Sequence, residues 1–281
     1  MKKAKRLFRR IWKIIKYEEM RILPGQLAFF IVLSIFSIFP LFGLIGSNFI
    51  SNELITSTEE TLPSGISTIL KSLMDVSSSG FNVVFFFAFS VYVASNGCGA
   101  MIITSNFIYK IKNNNVVKQK IKAIFMTFVL MFLILFIVIV PAFGQLIISL
   151  INSHYPGKII ETISSIYHIL KYPLSFVLIF ICVKILYTMA PDERISSKYN
   201  NYGTLFTTFL WIMVTRIYAV YLNNINTYNI FYGSLANVAI MLFWIYILAY
   251  IFTLGLALNY DVYYQCQHNV KKKENSIEKN T

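Results

Sequence analysis

Polar side chains within long apolar stretches are where chemistry is to be sought, because lipid leaves them unsatisfied unless a partner, water or ligand meets them. The densest set in this 281-residue chain comprises Ser90, Tyr92, Ser95, Asn96, Gly97, Cys98, Gly99, Thr104, Ser105 and Asn106. Tyr92, Asn96, Gly99, Ile103 and Asn106 recur at helical spacing and form one mostly polar or small face. Asn96-Gly97 is a turn dipeptide in an otherwise apolar run, which predicts an interrupted helix whose freed backbone lines a binding site. The alternative is close packing, in which Gly and Ser admit a neighbouring helix and Asn bonds across the interface. Arg216 is the one basic residue well inside a stretch, and no carboxylate in any stretch can pair with it. It can snorkel to headgroups, bond to backbone carbonyls, or face a wet cavity and attract an anion. The candidate substrate-binding set is therefore Tyr92, Ser95, Asn96, Asn106 and Arg216, joined by Asn237 and Asn259.

Hydrolytic chemistry has less footing. A metal hydrolase needs clustered ligands, but His154, His168 and His268 stand apart, with no H-E-x-x-H spacing. Neither a G-x-S-x-G elbow nor a phosphate-cradling G-x-x-x-x-G-K-[ST] is found. Proton relays and many cation sites use intramembrane Asp or Glu, which these stretches lack; Asp261, at the end of the last one, reads as interfacial. Cys98, Cys182 and Cys266 build no disulfide framework and no C-x-x-C motif. The sequence nominates no catalytic residue, no metal ligand and no cofactor, and reads as a non-enzyme.

The elements that must position these residues are six apolar runs near Leu27–Ser47, Val83–Ile108, Ala123–Leu150, Tyr172–Ala190, Gly203–Leu222 and Ala236–Tyr260. Each approaches the roughly 20 residues that cross a bilayer as helix, and lipid requires the backbone to bond within itself. The composition agrees: 57% of residues are hydrophobic and 13% charged, against about 25% charged in soluble domains. The formal net charge of +13 is distributed as topology rather than as a nucleic-acid surface. Basic residues crowd before the first run, between the second and third, after the fourth and after the sixth, whereas the opposite loops carry only Lys71, Lys158 and Lys171. The positive-inside rule then places both termini in the cytoplasm of a plasma-membrane protein.

The expected fold is an all-α, polytopic membrane helical bundle of six transmembrane helices (27–260), with a basic amphipathic N-terminal segment (1–26) and a polar cytoplasmic tail (261–281). Leu7, Phe8, Ile11, Trp12 and Ile15 form a stripe among basic residues, suited to anionic inner-leaflet headgroups or to a topology anchor. Short amphipathic helices are expected in the outer loops, one at Ile66, Ile69, Leu70 and Leu73. The other is expected at Ile159, Ile163, Ile166 and Leu170, with Pro173 ending it or starting the next span. Beyond Gln265 the Lys/Glu/Asn-rich tail is expected to be disordered.

In the last third, Pro191-Asp192 is followed by Gly203, Trp211, Tyr221 and Asn229. Then come Tyr232-Gly233-Ser234-Leu235, Trp244-Ile245-Tyr246, and Gly255 through Leu258-Asn259. Upstream stand Leu27-Ala28-Phe29-Phe30 with Ser37-Ile38-Phe39-Pro40, and Ser95 with Asn106 and Tyr109. This order resembles the YihY/BrkB family of bacterial inner-membrane proteins, often labelled "ribonuclease BN", over roughly Gln26 to Asp261. Tyr202 and Ala257 depart from the family's usual Pro and Glu, so a mechanism relying on that carboxylate does not carry over. The resemblance implies six membrane helices, both ends inside, and a link to envelope integrity and to movement of lipids or other amphiphiles. It makes a transporter or flippase-like handler of lipids or other amphiphilic or anionic molecules the leading function, and a non-transporting scaffold or envelope-assembly factor the alternative. Membrane lipids are the expected partners, nucleic acid is not, and self-association as a homo-oligomer is left open.

Overall fold

The computed structural model describes residues 19–49, 80–112, 115–154, 158–224 and 234–278. Six long helices stand among them: α1 (Glu19–Phe49), α2 (Gly80–Tyr109), α3 (Val116–His154), α4 (Lys158–Met189), α5 (Asn201–Asn224) and α6 (Ser234–Glu278). A short 3-10 turn, Ser197–Asn200, leads into α5. No strand occurs among the described residues, so the molecule is an all-α bundle. Each apolar run coincides with one helix, because a chain that sheds water must satisfy its own backbone.

Five helices contain a described span long and apolar enough to cross a membrane: Phe87–Tyr109, Val116–Ile137, Ile169–Met189, Ser197–Tyr221 and Val238–Gln267. α1 contributes the shorter apolar stretch Met20–Ile35. The basic stripe Leu7–Ile15 and the outer-loop pattern Ile66–Leu73 lie outside the described residues, as do the side chains of Ile159, Ile163 and Ile166.

Three expectations are corrected. α2 runs unbroken through Asn96-Gly97, since a helix in lipid keeps its internal bonds where a turn would expose them. α4 continues through Pro173 rather than ending or restarting there. Pro173 lies on the exposed surface, and the single bond it withholds is outweighed by continuity on either side. α6 extends past Gln265 to Glu278 instead of giving way to a disordered tail. Lys and Glu are good helix formers, and extending an existing helix carries no nucleation cost.

The helices form a ring in chain order, α1 to α6, with α6 closing against α1 and also reaching α2. The centre is filled by Leu27, Ile102, Met126, Val183, Tyr187, Phe252 and Leu256. Large apolar side chains such as Phe125, Phe132, Phe209 and Ile217 point outward. Lipid tails are as apolar as these side chains, so helix association must come from close contact and interhelical hydrogen bonds. The tight crossings are accordingly glycine-based: Gly97 meets Ser34 of α1, and Gly203 of α5 meets Gly255 of α6.

Candidate functional site: a polar latch and two outward-facing cations

The α2–α3 and α4–α5 connections lie at one end of the bundle, here called the basic end. α2 stops there with Lys110 in the left-handed region at φ 57°. The Ile111 N–H bonds to the Asn106 carbonyl at 2.9 Å and the Lys110 N–H to that of Phe107 at 3.2 Å. This is a Schellman closure with lysine where glycine is usual.

The closure fixes the Asn106 side chain, which forms a reciprocal pair with Asp192 in the α4–α5 loop. Asn106 Nδ2 donates to Asp192 Oδ2 at 2.7 Å, and the Asp192 N–H donates to Asn106 Oδ1 at 2.9 Å. α3 adds Gln119 Nε2, 3.0 Å from Oδ2, and Lys122 Nζ, 2.8 Å from Oδ1. Lys122 also donates to the carbonyls of Ala190 and Pro191, so its three hydrogens are all used. Burial pushes the Asp192 carboxyl up. Hydrogen bonds from Lys122, Gln119 and Asn106, with the Lys122 charge, outweigh this and hold it below its usual range. Three helices are thus tied through one carboxylate.

A second polar seam joins α4, α5 and α6. Asn259 Oδ1 accepts the Gly203 N–H at 2.7 Å, so a side chain of α6 satisfies an otherwise orphaned donor in the first turn of α5. A Cβ at Gly203 would fall on the Gly255 carbonyl oxygen and the Asn259 amide. Tyr187, fully buried, donates to the Phe252 carbonyl at 2.9 Å; its single hydrogen thus committed, Thr207 supplies the one in the 2.6 Å contact between their oxygens. Asn259 Nδ2, Ser105 Oγ and Thr208 Oγ1 are buried with no partner among the described residues.

Two cations face outward instead. Lys120 Nζ donates to Asn96 Oδ1 at 2.7 Å and to the Tyr92 carbonyl at 3.1 Å, and lies 3.9 Å from the centroid of the Tyr92 ring. On the other flank the exposed Arg216 guanidinium of α5 lies 5.4 Å from the centroid of Tyr172 on α4. It belongs to a stripe with Leu205, Phe209, Met213 and Val220, all outward-facing. Among the described residues no carboxylate pairs with either cation.

The structure therefore separates the sequence-nominated residues. Asn106 and Asn259 are buried in packing contacts, and Ser95 is buried with its hydroxyl on the Tyr92 carbonyl at 2.7 Å. Tyr92 and Asn96 meet Lys120 near the surface, and Arg216 stands apart with Tyr172. Asn237 lies in α6 with its side chain outside the described residues. Asp192, Gln119, Lys120 and Lys122 were absent from the nominated set. The lysines read only as topology charges, and the one available signal was Asp192 within the Pro-Asp dipeptide. Among the described residues no group of three or more His, Cys, Asp and Glu could hold a metal ion.

A family model described as Virulence factor BrkB matches residues 12–280. A ribonuclease-like protein of Bacillus subtilis, YfkH, is 24% identical over 242 residues, covering 84% of this chain and 87% of its own length. A UPF0761 membrane protein of Vibrio vulnificus is 22% identical over 242 residues, covering 84% of this chain and 71% of that protein. One from Pseudoalteromonas translucida is 33% identical over 73 residues, 26% of this chain and 24% of that protein. No solved structure matches significantly.

Proposed function

This chain belongs to the virulence factor BrkB family, and on that premise we propose that it is a transporter or flippase-like handler of anionic amphiphiles with a role in the cell envelope. It is an integral membrane protein, and the distribution of its basic residues supports a plasma-membrane location with both termini cytoplasmic. The supporting observation is Arg216, an exposed guanidinium on an apolar outer stripe, backed by Tyr172 and without a carboxylate among the described residues. Counted at 1.5 Å per residue, it stands roughly 22 Å along α5 from Asn201. An unpaired charge at that depth is costly, and an anionic headgroup drawn to it removes the cost. The reading needs no enzymatic step; the ribonuclease in one relative's name stays with that relative.

The test is movement of fluorescent phosphatidylglycerol between the leaflets of proteoliposomes holding the full chain, read by chemical quenching of the outer leaflet. Wild type should speed the exchange, Arg216→Ala should slow it, and Arg216→Lys should fall between. Folded wild type that moves no lipid would favour the second reading, a non-transporting scaffold or envelope-assembly factor. The packing roles of Asn106, Asn259, Gly203 and Gly255 fit that alternative. Metal-dependent RNA cleavage by nuclease-free protein would overturn both.

A further inference from the structure

Lys120 does more than the topology rule requires. Its ammonium has three hydrogens, of which two are taken by Asn96 Oδ1 and the Tyr92 carbonyl. The third meets only the face of the Tyr92 ring, 3.9 Å away, and among the described residues neither the Asn96 amide nitrogen nor the Tyr92 hydroxyl has a hydrogen bond. Two donors without a hydrogen bond and one ammonium thus lie together where α2 meets α3. Tyr92 is 56% exposed, so the donors open to the bundle's exterior rather than to its core. Phe89, one turn along α2 from Tyr92, and Phe128, two turns along α3 from Lys120, are exposed on either side. A charged head between apolar rails has the shape and polarity of a lipid site.

We propose that this α2–α3 face binds the phosphate of an anionic membrane lipid, held by the Lys120 ammonium, the Asn96 amide and the Tyr92 hydroxyl, with acyl chains lying along Phe89 and Phe128. The inference rests on the reading of the chain as a handler of anionic amphiphiles, and adds a second place and a headgroup class to it. A phosphate offers several acceptor oxygens to converging donors, and a charge-assisted bond is about twice as strong as a neutral one. The aromatic ring behind the ammonium keeps the cation in place without neutralising it. The net positive charge of the lysine, with no carboxylate beside it among the described residues, selects anionic over zwitterionic lipid.

The test uses the full chain in nanodiscs, with native mass spectrometry of bound phosphatidylglycerol against phosphatidylcholine. Lys120→Gln keeps a donor for Asn96 but loses the charge, and should weaken phosphatidylglycerol retention about tenfold. Lys120→Arg, which keeps the charge, should retain it. In case Lys120→Gln does not fold, acylation of lysines is followed in wild type. Phosphatidylglycerol should protect Lys120 but not the exposed Lys118, while phosphatidylcholine and inorganic phosphate should protect neither. Equal retention by folded Lys120→Gln, equal protection by phosphatidylcholine, or protection by inorganic phosphate would each overturn the site. Lipid movement with Lys120 unprotected would remove the site and leave the transport reading standing; protection without movement would do the reverse.

Discussion

Replacing Asp192 with alanine tests whether the basic end is held by one carboxylate. Breaking a buried ion pair by removing one partner costs about 3–5 kcal/mol. Asp192 has a side chain only 6% exposed, but Lys122 is 27% exposed and keeps the carbonyls of Ala190 and Pro191. The loss should therefore lie near the lower end, about 3 kcal/mol, with Asn106 and Gln119 regaining water in part. For a chain of this size that corresponds to a melting shift of about 6–12 °C. A thiol-reactive fluorogenic maleimide reads it directly, because Cys98 and Cys182 are buried and react only on unfolding; the partly exposed Cys266 supplies a constant background. Asn106→Ala and the double variant complete a cycle in which the two losses should fall well short of additive. A melting point indistinguishable from wild type in Asp192→Ala, or strict additivity with Asn106→Ala, would refute the latch.

The same carboxylate sets an acid limit. Its pKa is held below the unfolded value of 3.8, so its contribution is complete above about pH 4 and drains away as pH falls through the native value; an acid-unfolding curve should lose this limb in Asp192→Ala. Gly97→Ala places a Cβ 2.5 Å from Ser34 Oγ and should destabilise by about 1–3 kcal/mol, while adding Ser34→Gly should restore most of the loss in the same thermal assay. Gly203→Ala meets the Gly255 backbone carbonyl as well as the Asn259 side chain, so yield of folded protein should drop and truncating Asn259 alone should not rescue it. Lys110→Gly relieves the left-handed residue at φ 57° and should raise the melting point by about 2–4 °C, equivalent to about 1 kcal/mol.

The helices were legible in sequence where the physics is local. An apolar run in lipid has one backbone solution, so all six runs coincide with helices. Extents were less legible, because α3 begins at Val116, before its apolar run, and α6 continues through lysines to Glu278. In those segments helix continuity decides, and hydrophobicity says little. Asn96-Gly97 misled for a related reason: its turn propensity is a weak local preference against a whole helix of bonds. The site was only half legible. Polar residues in the second run could be named, but whether they face inward depends on helix rotation, and Tyr92 faces outward while Asn106 is buried. The partners of Asp192 lie 70 to 86 residues away in the chain, a pairing that charge counting cannot see.

The order in which the ring closes bears on how such a protein is made. α1 leaves the ribosome well before α6, yet they end as neighbours, with Met20 packed among Leu254, Ala257 and Leu258. Until α6 is made, α1 has one flank on α2 and the other facing lipid or an insertion factor. Membrane assembly must therefore hold a half-open arc of five helices and admit the sixth at its seam. A chain truncated before Ser234 would keep five inserted helices but never acquire the closed ring, a distinction that protease protection during stalled translation can follow.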